Sequence, residues 1–418
     1  MRFDQLSEWL DWIQRLHPRA MDLGLDRVSA VYNRLGLGRI AHCVITVGGT
    51  NGKGSSAAML EAILRQAGYR VGVYSSPHMV RYNERVRIDG RDVGDDALCE
   101  AFDRVDRVRR DESLTYFEFG TLAALDLFAR ERLDVAVLEV GMGGRLDAVN
   151  IVDPDVALIT RIAIDHQAWL GATRDAIGRE KAGITRACRP AVCGDPDPPA
   201  GFLQHATASP LYRQGQDFLV SSQDTQWQWR SDKRHLEHLP YPALPGRFQL
   251  HNAAAVLQVL ACIEDRCPTA EDHIRAGLKA VRLPGRFEVV AGEVTQVFDV
   301  AHNPDAALTL ADNLRALKSS GTRRAVLGML RDKDVAGFGE ALAGEVGLWY
   351  LASLGGDRAL SAGELAERMA GVVPSEKIHL FSSVGQAFRT ALADSCPGDV
   401  VLATGSFHTA GEARCESL

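Results

Sequence analysis

The chain has 418 residues, of which 46% are hydrophobic and 24% charged, and a formal net charge of -7. A single hydrophobic core usually stops growing at ~250–300 residues, so two domains are expected. The composition excludes a disordered or fibrous chain, and the acidic balance argues against a general nucleic-acid or membrane-surface binder, which leaves small-molecule chemistry.

Leu6, Trp9, Leu10, Ile13 and Leu16 recur at helical spacing within residues 1–20, interrupted by Asp4, Glu8 and Asp11. This is the pattern of an amphipathic helix and not of a signal peptide. No run approaches the ~20 apolar residues of a membrane span. The cysteines, Cys43, Cys99, Cys188, Cys193, Cys262, Cys267, Cys396 and Cys415, include no C-x-x-C pair. Reduced structural thiols and a cytoplasmic location are therefore expected.

From residue 40 onward, short apolar strands alternate with longer helical stretches, as in a parallel sheet wrapped by helices. Strands are expected at 43–47, 70–74, 134–140 and 155–160, and helices at 55–67 and 121–132. After Arg189 the loop Asp195-Pro196-Asp197-Pro198-Pro199 leads to hairpin-like sequence over 211–230, in which Trp227 and Trp229 alternate. These residues are expected to form a small β-rich appendage. A helix over 251–263 follows, and then a second βα series with strands at 295–300, 324–328, 348–352, 377–381 and 399–403. The boundary is placed near Leu283-Pro284-Gly285, dividing the chain into residues 1–282 and 283–418. The sequence at 244–249 is echoed at 283–288, but two copies of a loop motif do not make a repeat architecture.

The run Gly49-Thr50-Asn51-Gly52-Lys53-Gly54-Ser55 follows a strand and opens a helix. Backbone N–H groups in such a turn, with the positive end of the helix, cradle phosphate oxygens, and Lys53 adds a mobile cation. The strict nucleotide-loop pattern fails twice: Val47 stands at its first glycine, and Gly54 stands where a Mg²⁺-binding Ser or Thr follows the lysine. A flexible βα turn is the alternative. With that hydroxyl missing, the metal has to be held from elsewhere, and open α/β sheets bind ligands at the carboxyl ends of their strands. Ser76, Glu139 and His166 stand at such ends. A hydroxyl, a carboxylate and an imidazole, completed by nucleotide oxygens and water, suit Mg²⁺, although imidazole is unusual for so hard an ion. The alternatives are a structural histidine and a turn serine. Lys181 is by default an exposed helix lysine. Asp299, His302 and Asn303 follow the first strand of the second series and are expected to face the interdomain cleft, an Asn-Pro turn being the alternative.

Taken together, these residues resemble the folylpolyglutamate synthase and dihydrofolate synthase family, relatives of the Mur ligases. The resemblance runs through Asp22-Leu23-Gly24-Leu25-Asp26, the phosphate loop, Ser75-Ser76-Pro77-His78, Glu139-Val140-Gly141-Met142-Gly143-Gly144, Asp165-His166, Glu180-Lys181-Ala182-Gly183, His251-Asn252, Pro284-Gly285-Arg286-Phe287, Asp299 to Pro304 and Gly405-Ser406-Phe407-His408. Gly48 and Val300 are minor departures. The resemblance implies an α/β protein with an N-terminal P-loop ATPase domain and a C-terminal Rossmann-like glutamate ligase domain. It implies ATP at Gly49, Thr50, Asn51, Gly52, Lys53, Gly54 and Ser55, with Asn252, Arg286 and Asp299 contacting the nucleotide, and Mg²⁺ at Ser76, Glu139 and His166. It implies a carbamylated Lys181 supporting a second ion. Asp22, Leu23, Gly24, Leu25 and Asp26, with Thr115, Tyr116, Phe117, Glu118, Leu146, Asp147 and Ala148, would line the pterin side. His302 would orient glutamate or assist proton removal from its amine. The implied substrates are dihydropteroate, reduced folates and L-glutamate, joined by a monomer through an acyl phosphate. The rival readings are a Mur-type ligase acting on a cell-wall precursor and a non-catalytic nucleotide switch.

Overall fold

The computed structural model describes residues 1–223 and 225–417. Its first sheet has eight strands in the order Arg91–Asp92, Val86–Ile88, Val71–Tyr74, Leu133–Glu139, Ala41–Gly48, Val156–Ile159, Ala191–Cys193 and Leu211–Arg213. The six strands from Val71–Tyr74 to Leu211–Arg213 run parallel, and an antiparallel hairpin, Val86–Ile88 with Arg91–Asp92, closes one edge. The central strands are apolar almost throughout because helices cover both faces. On one face, helix Lys53–Gln66 packs against Phe248–Cys262 and Glu271–Ala280. A Cβ on Gly277 would lie 2.5 Å from Ile63 Cα, so only glycine permits that helix approach. Leu6–Leu16, Asp26–Leu35, Asp95–Arg109 and Tyr116–Arg130 gather over the other face around Trp9, Phe102 and Phe119.

Helix Tyr116–Arg130 starts five residues before the expected 121, because Thr115 and Glu118 form a reciprocal capping box. The appendage also differs from expectation at its start. Leu211–Arg213 joins the large sheet parallel to Ala191–Cys193. The antiparallel sheet begins only at Phe218–Gln223 and continues through Gln226–Ser231 and His235–Pro240, with Trp227 and Trp229 buried. Gly215, at φ +84°, turns the chain between the two sheets.

The second sheet has the order Glu288–Val290, Thr295–Phe298, Val400–Thr404, Arg323–Leu327, Leu348–Ala352 and Ile378–Phe381, parallel except for its first strand. Helices Pro304–Ala316, Val335–Leu342 and Ala362–Arg368 cover one face, and Val384–Ala393 and Phe407–Ser417 the other. The two sheets meet at the carboxyl ends of their strands. Asn51 Nδ2 donates to Asp305 Oδ2 at 2.9 Å, and Lys333 Nζ to Asp165 Oδ1 at 2.6 Å. A Cβ on Gly411 would overlap the Met79 carbonyl, so the last helix lies directly on the loop after Val71–Tyr74. Among the described residues, no helix is long and apolar enough to cross a membrane.

Candidate active site

The phosphate loop is shaped by two left-handed glycines, Gly49 at φ +143° and Gly52 at φ +91°. A Cβ on Gly49 would overlap Thr160 Oγ1, and one on Gly52 would lie 2.5 Å from Asn252 Oδ1. Backbone freedom and close approach both demand glycine here. Thr50 ties the loop to the neighbouring strand end: its N–H donates to the Arg161 carbonyl at 2.7 Å and its hydroxyl to the Ala163 carbonyl at 3.0 Å. Lys53 Nζ reaches the carbonyls of Gly49 and Thr50 at 3.2 and 3.1 Å. Burial lowers its pKa against the opposing pull of Glu139 and Asp165. Gln249 Nε2 donates to Ser55 Oγ at 3.2 Å and Gln249 Oε1 accepts from Asn252 Nδ2 at 2.9 Å, which fixes Asn252 beside Gly52.

Gly54 has a physical reason. A Cβ there would lie 3.4 Å from Arg286 Nη2 and 3.7 Å from Glu139 Oε2, so a carboxylate and a second-domain guanidinium already occupy the surroundings of the missing hydroxyl. Glu139 pairs in register with Val47 at the strand end. Burial pushes its pKa up, against the attraction of Lys53 and Arg286.

These groups face a single cavity of about 420 Å³. It is lined by Gly49, Thr50, Asn51, Gly52, Lys53, Gly54, Ser55, Ser76, Glu139, His166, Lys181, Asn252, Arg286, Asp299 and His302, with Phe248, Phe407 and helix Pro304–Ala316 completing the wall. All the residues singled out for nucleotide, metal and catalysis therefore converge. Among the described residues, no three His, Cys, Asp or Glu side chains form a metal cluster by themselves. The candidate set has two such groups and a serine, leaving the remaining positions to nucleotide oxygens and water.

His166 has φ +52°, a strained conformation outside glycine, and its pKa is lowered to about 4, chiefly by burial with the Lys333 charge adding to it. It is neutral at physiological pH, as a metal-binding imidazole has to be. Lys181 is not the exposed helix lysine expected by default. It is 2% exposed, and burial first, then the nearby Lys53 charge, lowers its pKa to about 7. The polar helix Arg174–Ala182 is buried at this point because it docks on the glycine-rich loop after Glu139, where a Cβ on Gly144 would lie 2.8 Å from the Glu180 carbonyl.

The pterin-side candidates lie outside that cavity. Arg27 Nη1 donates to Asp22 Oδ2 at 2.7 Å and Arg27 Nη2 to Glu118 Oε1 at 3.1 Å, joining the two segments. Thr115 and Glu118 are buried in their capping box, Ala148 is also buried, and Asp26 is exposed at a helix start. Leu23, Gly24, Leu25, Tyr116, Phe117 and Leu146 are half-buried. Asp147 accepts from the N–H groups of Met142 and Val149 at 2.9 and 3.0 Å, bracing the glycine-rich loop, and burial pushes its pKa up to about 6.

Asp165 and Lys333 had no assigned role in the sequence. Asp165 receives Lys333 Nζ, His302 Nε2 at 3.3 Å and Asn303 Nδ2 at 3.2 Å. Burial alone would raise its pKa, but the His302 hydrogen bond and the Lys333 charge help to overcome it and hold the carboxyl well below the usual range. Lys333 follows strand Arg323–Leu327, so the strand-end rule that singled out Asp299 also reaches it.

Residues 47–260 match the Mur ligase middle domain and residues 285–407 the Mur ligase glutamate ligase domain. The chain is 46% identical over 406 residues to the dihydrofolate synthase/folylpolyglutamate synthase of Escherichia coli, covering 97% of this chain and 93% of that one. Its fold is similar to that of E. coli FolC in complex with DHPP and ADP, with a TM-score of 0.93, 45% identity and coverage of 98% and 97%. It is also similar to a bifunctional folylpolyglutamate synthase/dihydrofolate synthase with Mn, AMPPNP and L-glutamate bound, with a TM-score of 0.91, 47% identity and coverage of 99% and 98%. With both domain types present and this identity over nearly its whole length, the chain belongs to the dihydrofolate synthase/folylpolyglutamate synthase family of Mur-type ligases.

Proposed function

We propose that this chain uses ATP to join L-glutamate to dihydropteroate, forming dihydrofolate, and to the γ-carboxylate of reduced folyl-glutamates. The observation that carries this reading is the single cavity between the two domains, onto which the phosphate loop, Glu139, His166, Lys181, Arg286 and His302 all open. Residues 1–282 supply the nucleotide site and residues 283–418 close it. Both halves of the site come from one chain, so it needs no second copy; we propose a monomer and place it in the cytoplasm.

The acceptor carboxylate attacks the γ-phosphorus of ATP, releasing ADP and giving an acyl phosphate, and the glutamate amine then displaces inorganic phosphate and loses a proton, leaving an amide. Lys53, held at the phosphate-loop carbonyls, and Arg286, whose Nη2 would lie 3.4 Å from a Cβ on Gly54, are positioned to disperse charge on the transferring phosphoryl group. Asn252 supports the loop from helix Phe248–Cys262, and Asp299 anchors the second domain by accepting from the N–H groups of Phe287 and Ala301 at 2.8 Å each. The buried carboxylate of Glu139 and the neutral imidazole of His166 fit a divalent cation, with Ser76 as the third ligand. Mg²⁺ bound there would neutralise phosphate oxygens. Lys181 fits carbamate formation, since a buried amine of lowered pKa is partly unprotonated and nucleophilic towards CO₂; the carbamate would support a second ion.

His302 is placed to orient glutamate or to assist proton removal from its amine. Its Nδ1 lies 3.0 Å from the Val300 carbonyl and its Nε2 3.3 Å from Asp165 Oδ2, which holds the ring at the cavity wall. Substitution by Ala should raise KM for glutamate, and unchanged kinetics would remove the role. The reading as a whole is tested by ATP-coupled phosphate release with dihydropteroate or a reduced folate monoglutamate as acceptor. Release is expected to need both acceptor and glutamate. ATP turnover indifferent to glutamate, or dependent on a cell-wall precursor, would overturn it.

A further inference from the structure

Arg85 ends the short helical turn Tyr82–Arg85, at the mouth of the loop carrying Ser76. Its carbonyl accepts from the Ser75 N–H at 2.9 Å, which fixes its backbone to that loop. The guanidinium carbon lies 5.3 Å from the ring centre of Tyr82 and 5.5 Å from that of Tyr116, and Nε donates to His78 Nδ1 at 2.8 Å. Two aromatic faces and an imidazole thus hold the cation in place, but none of them neutralises it.

Among the described residues Arg85 makes no ion pair. The adjacent Glu84 is already engaged, accepting from the N–H groups of Met79, Val80 and Arg81 at 2.7, 2.9 and 2.7 Å. A guanidinium carries five N–H donors, and among the described residues only Nε has a protein acceptor. The two terminal nitrogens are not sealed from solvent, and the residue is half-buried. A pre-positioned, partly desolvated guanidinium fork with free donors is complementary to a carboxylate.

Its position selects which carboxylate. On one side is Tyr116, in the segment assigned to the pterin wall; on the other is the loop of Ser76, which lines the same cavity as the phosphate loop, where an acceptor carboxyl has to reach the γ-phosphate. A folyl-glutamate acceptor that presents its γ-carboxyl for phosphorylation carries a second, α-carboxylate between those ends, whereas dihydropteroate carries none. We infer that Arg85 is a specificity residue that binds the α-carboxylate of the acceptor's terminal glutamate, serving chain extension and not the first glutamylation. This inference rests on the proposed function. It assigns Arg85 a part in one of the two reactions only.

The test compares three acceptors with the full-length protein: dihydropteroate, a reduced folate monoglutamate, and the analogue in which γ-aminobutyrate replaces that glutamate, keeping the reacting carboxyl but lacking the α-carboxylate. Wild-type KM is expected to rise on the order of tenfold or more from the monoglutamate to the analogue, the size of a lost charge-assisted hydrogen bond. Arg85→Gln is expected to abolish that difference, Arg85→Lys to restore part of it, and neither to change the KM for L-glutamate. Equal KM for the two folate acceptors in the wild type overturns the inference without any variant, and so does full discrimination by Arg85→Gln. A raised KM for L-glutamate with both acceptors would instead assign Arg85 to the incoming amino acid and overturn it too. Loss of the proposed function itself reads differently, as a wild-type protein that glutamylates none of the three.

Discussion

Asn51 of the phosphate loop and Asn303 of the second domain exchange hydrogen bonds through their side-chain amides, each donating to the other at 3.1 Å across 252 residues of sequence. Asn51 also donates to Asp305, so three side chains join the nucleotide loop to the start of helix Pro304–Ala316. Replacing Asn51 by Ala removes these bonds but no core volume. KM for ATP is expected to rise about tenfold, the size of one or two lost hydrogen bonds, with little change in thermal stability. Unchanged ATP affinity would show that the contact does not assist closure.

Lys53→Ala removes a half-buried cation that, among the described residues, donates to two loop carbonyls, those of Gly49 and Thr50. Turnover is expected to fall by a factor on the order of 10²–10³ while the melting temperature moves little. Steady-state kinetics and a thermal melt on the same preparation check both halves, and full activity would refute the phosphate role.

Lys181 carries a pH signature. Its folded pKa, about 7, lies below the ordinary value of 10.5, so between these values the unfolded chain holds the extra proton. Stability of the unmodified protein is expected to rise with pH across that window, by at most about 1.4 kcal/mol per unit, and to lose this dependence below pH 7. Urea titrations at pH 7 and 9 in CO₂-depleted buffer should show the slope in the wild type and its loss in Lys181→Met. An identical slope in both would exclude Lys181 as its source. Added bicarbonate should raise wild-type turnover, as carbamate formation requires.

The Lys333–Asp165 pair crosses the domain interface with both side chains under a tenth exposed. Removing either partner leaves the other buried with weaker partners, Asn303 and His302 for Asp165 and Asp332 at 3.6 Å for Lys333, so the loss is expected to fall below the about 3–5 kcal/mol of a fully stranded buried charge. Lys333→Met and Asp165→Asn are each expected to destabilise the closed protein, and the double variant by clearly less than their sum. Additive losses in denaturant titrations would mean that the two charges act independently.

Much of the architecture was readable because strands such as Leu133–Glu139 are buried on both faces and appear as unbroken apolar runs. Glu139 and His166 were reachable because strand ends are where an open sheet presents side chains. What escaped depended on distant segments meeting. Lys181 lies in the polar helix Arg174–Ala182, and only docking against Gly144 buries it. Lys333 sits in the charged run Arg331-Asp332-Lys333-Asp334, where nothing local separates it from a solvated turn. Leu211–Arg213 looked like the start of a hairpin because pairing partners are not encoded in the strand itself.

Gly54 leaves the loop one oxygen short, and the space beside it belongs to Glu139 and to an arginine that arrives only with the other domain. A nucleotide site divided in this way needs both domains, so the first domain by itself lacks the complete machinery for discharging ATP into water. The same division makes the two halves poor candidates for recombination: a first domain grafted onto a foreign partner would keep its loop and lose the group that makes the loop useful.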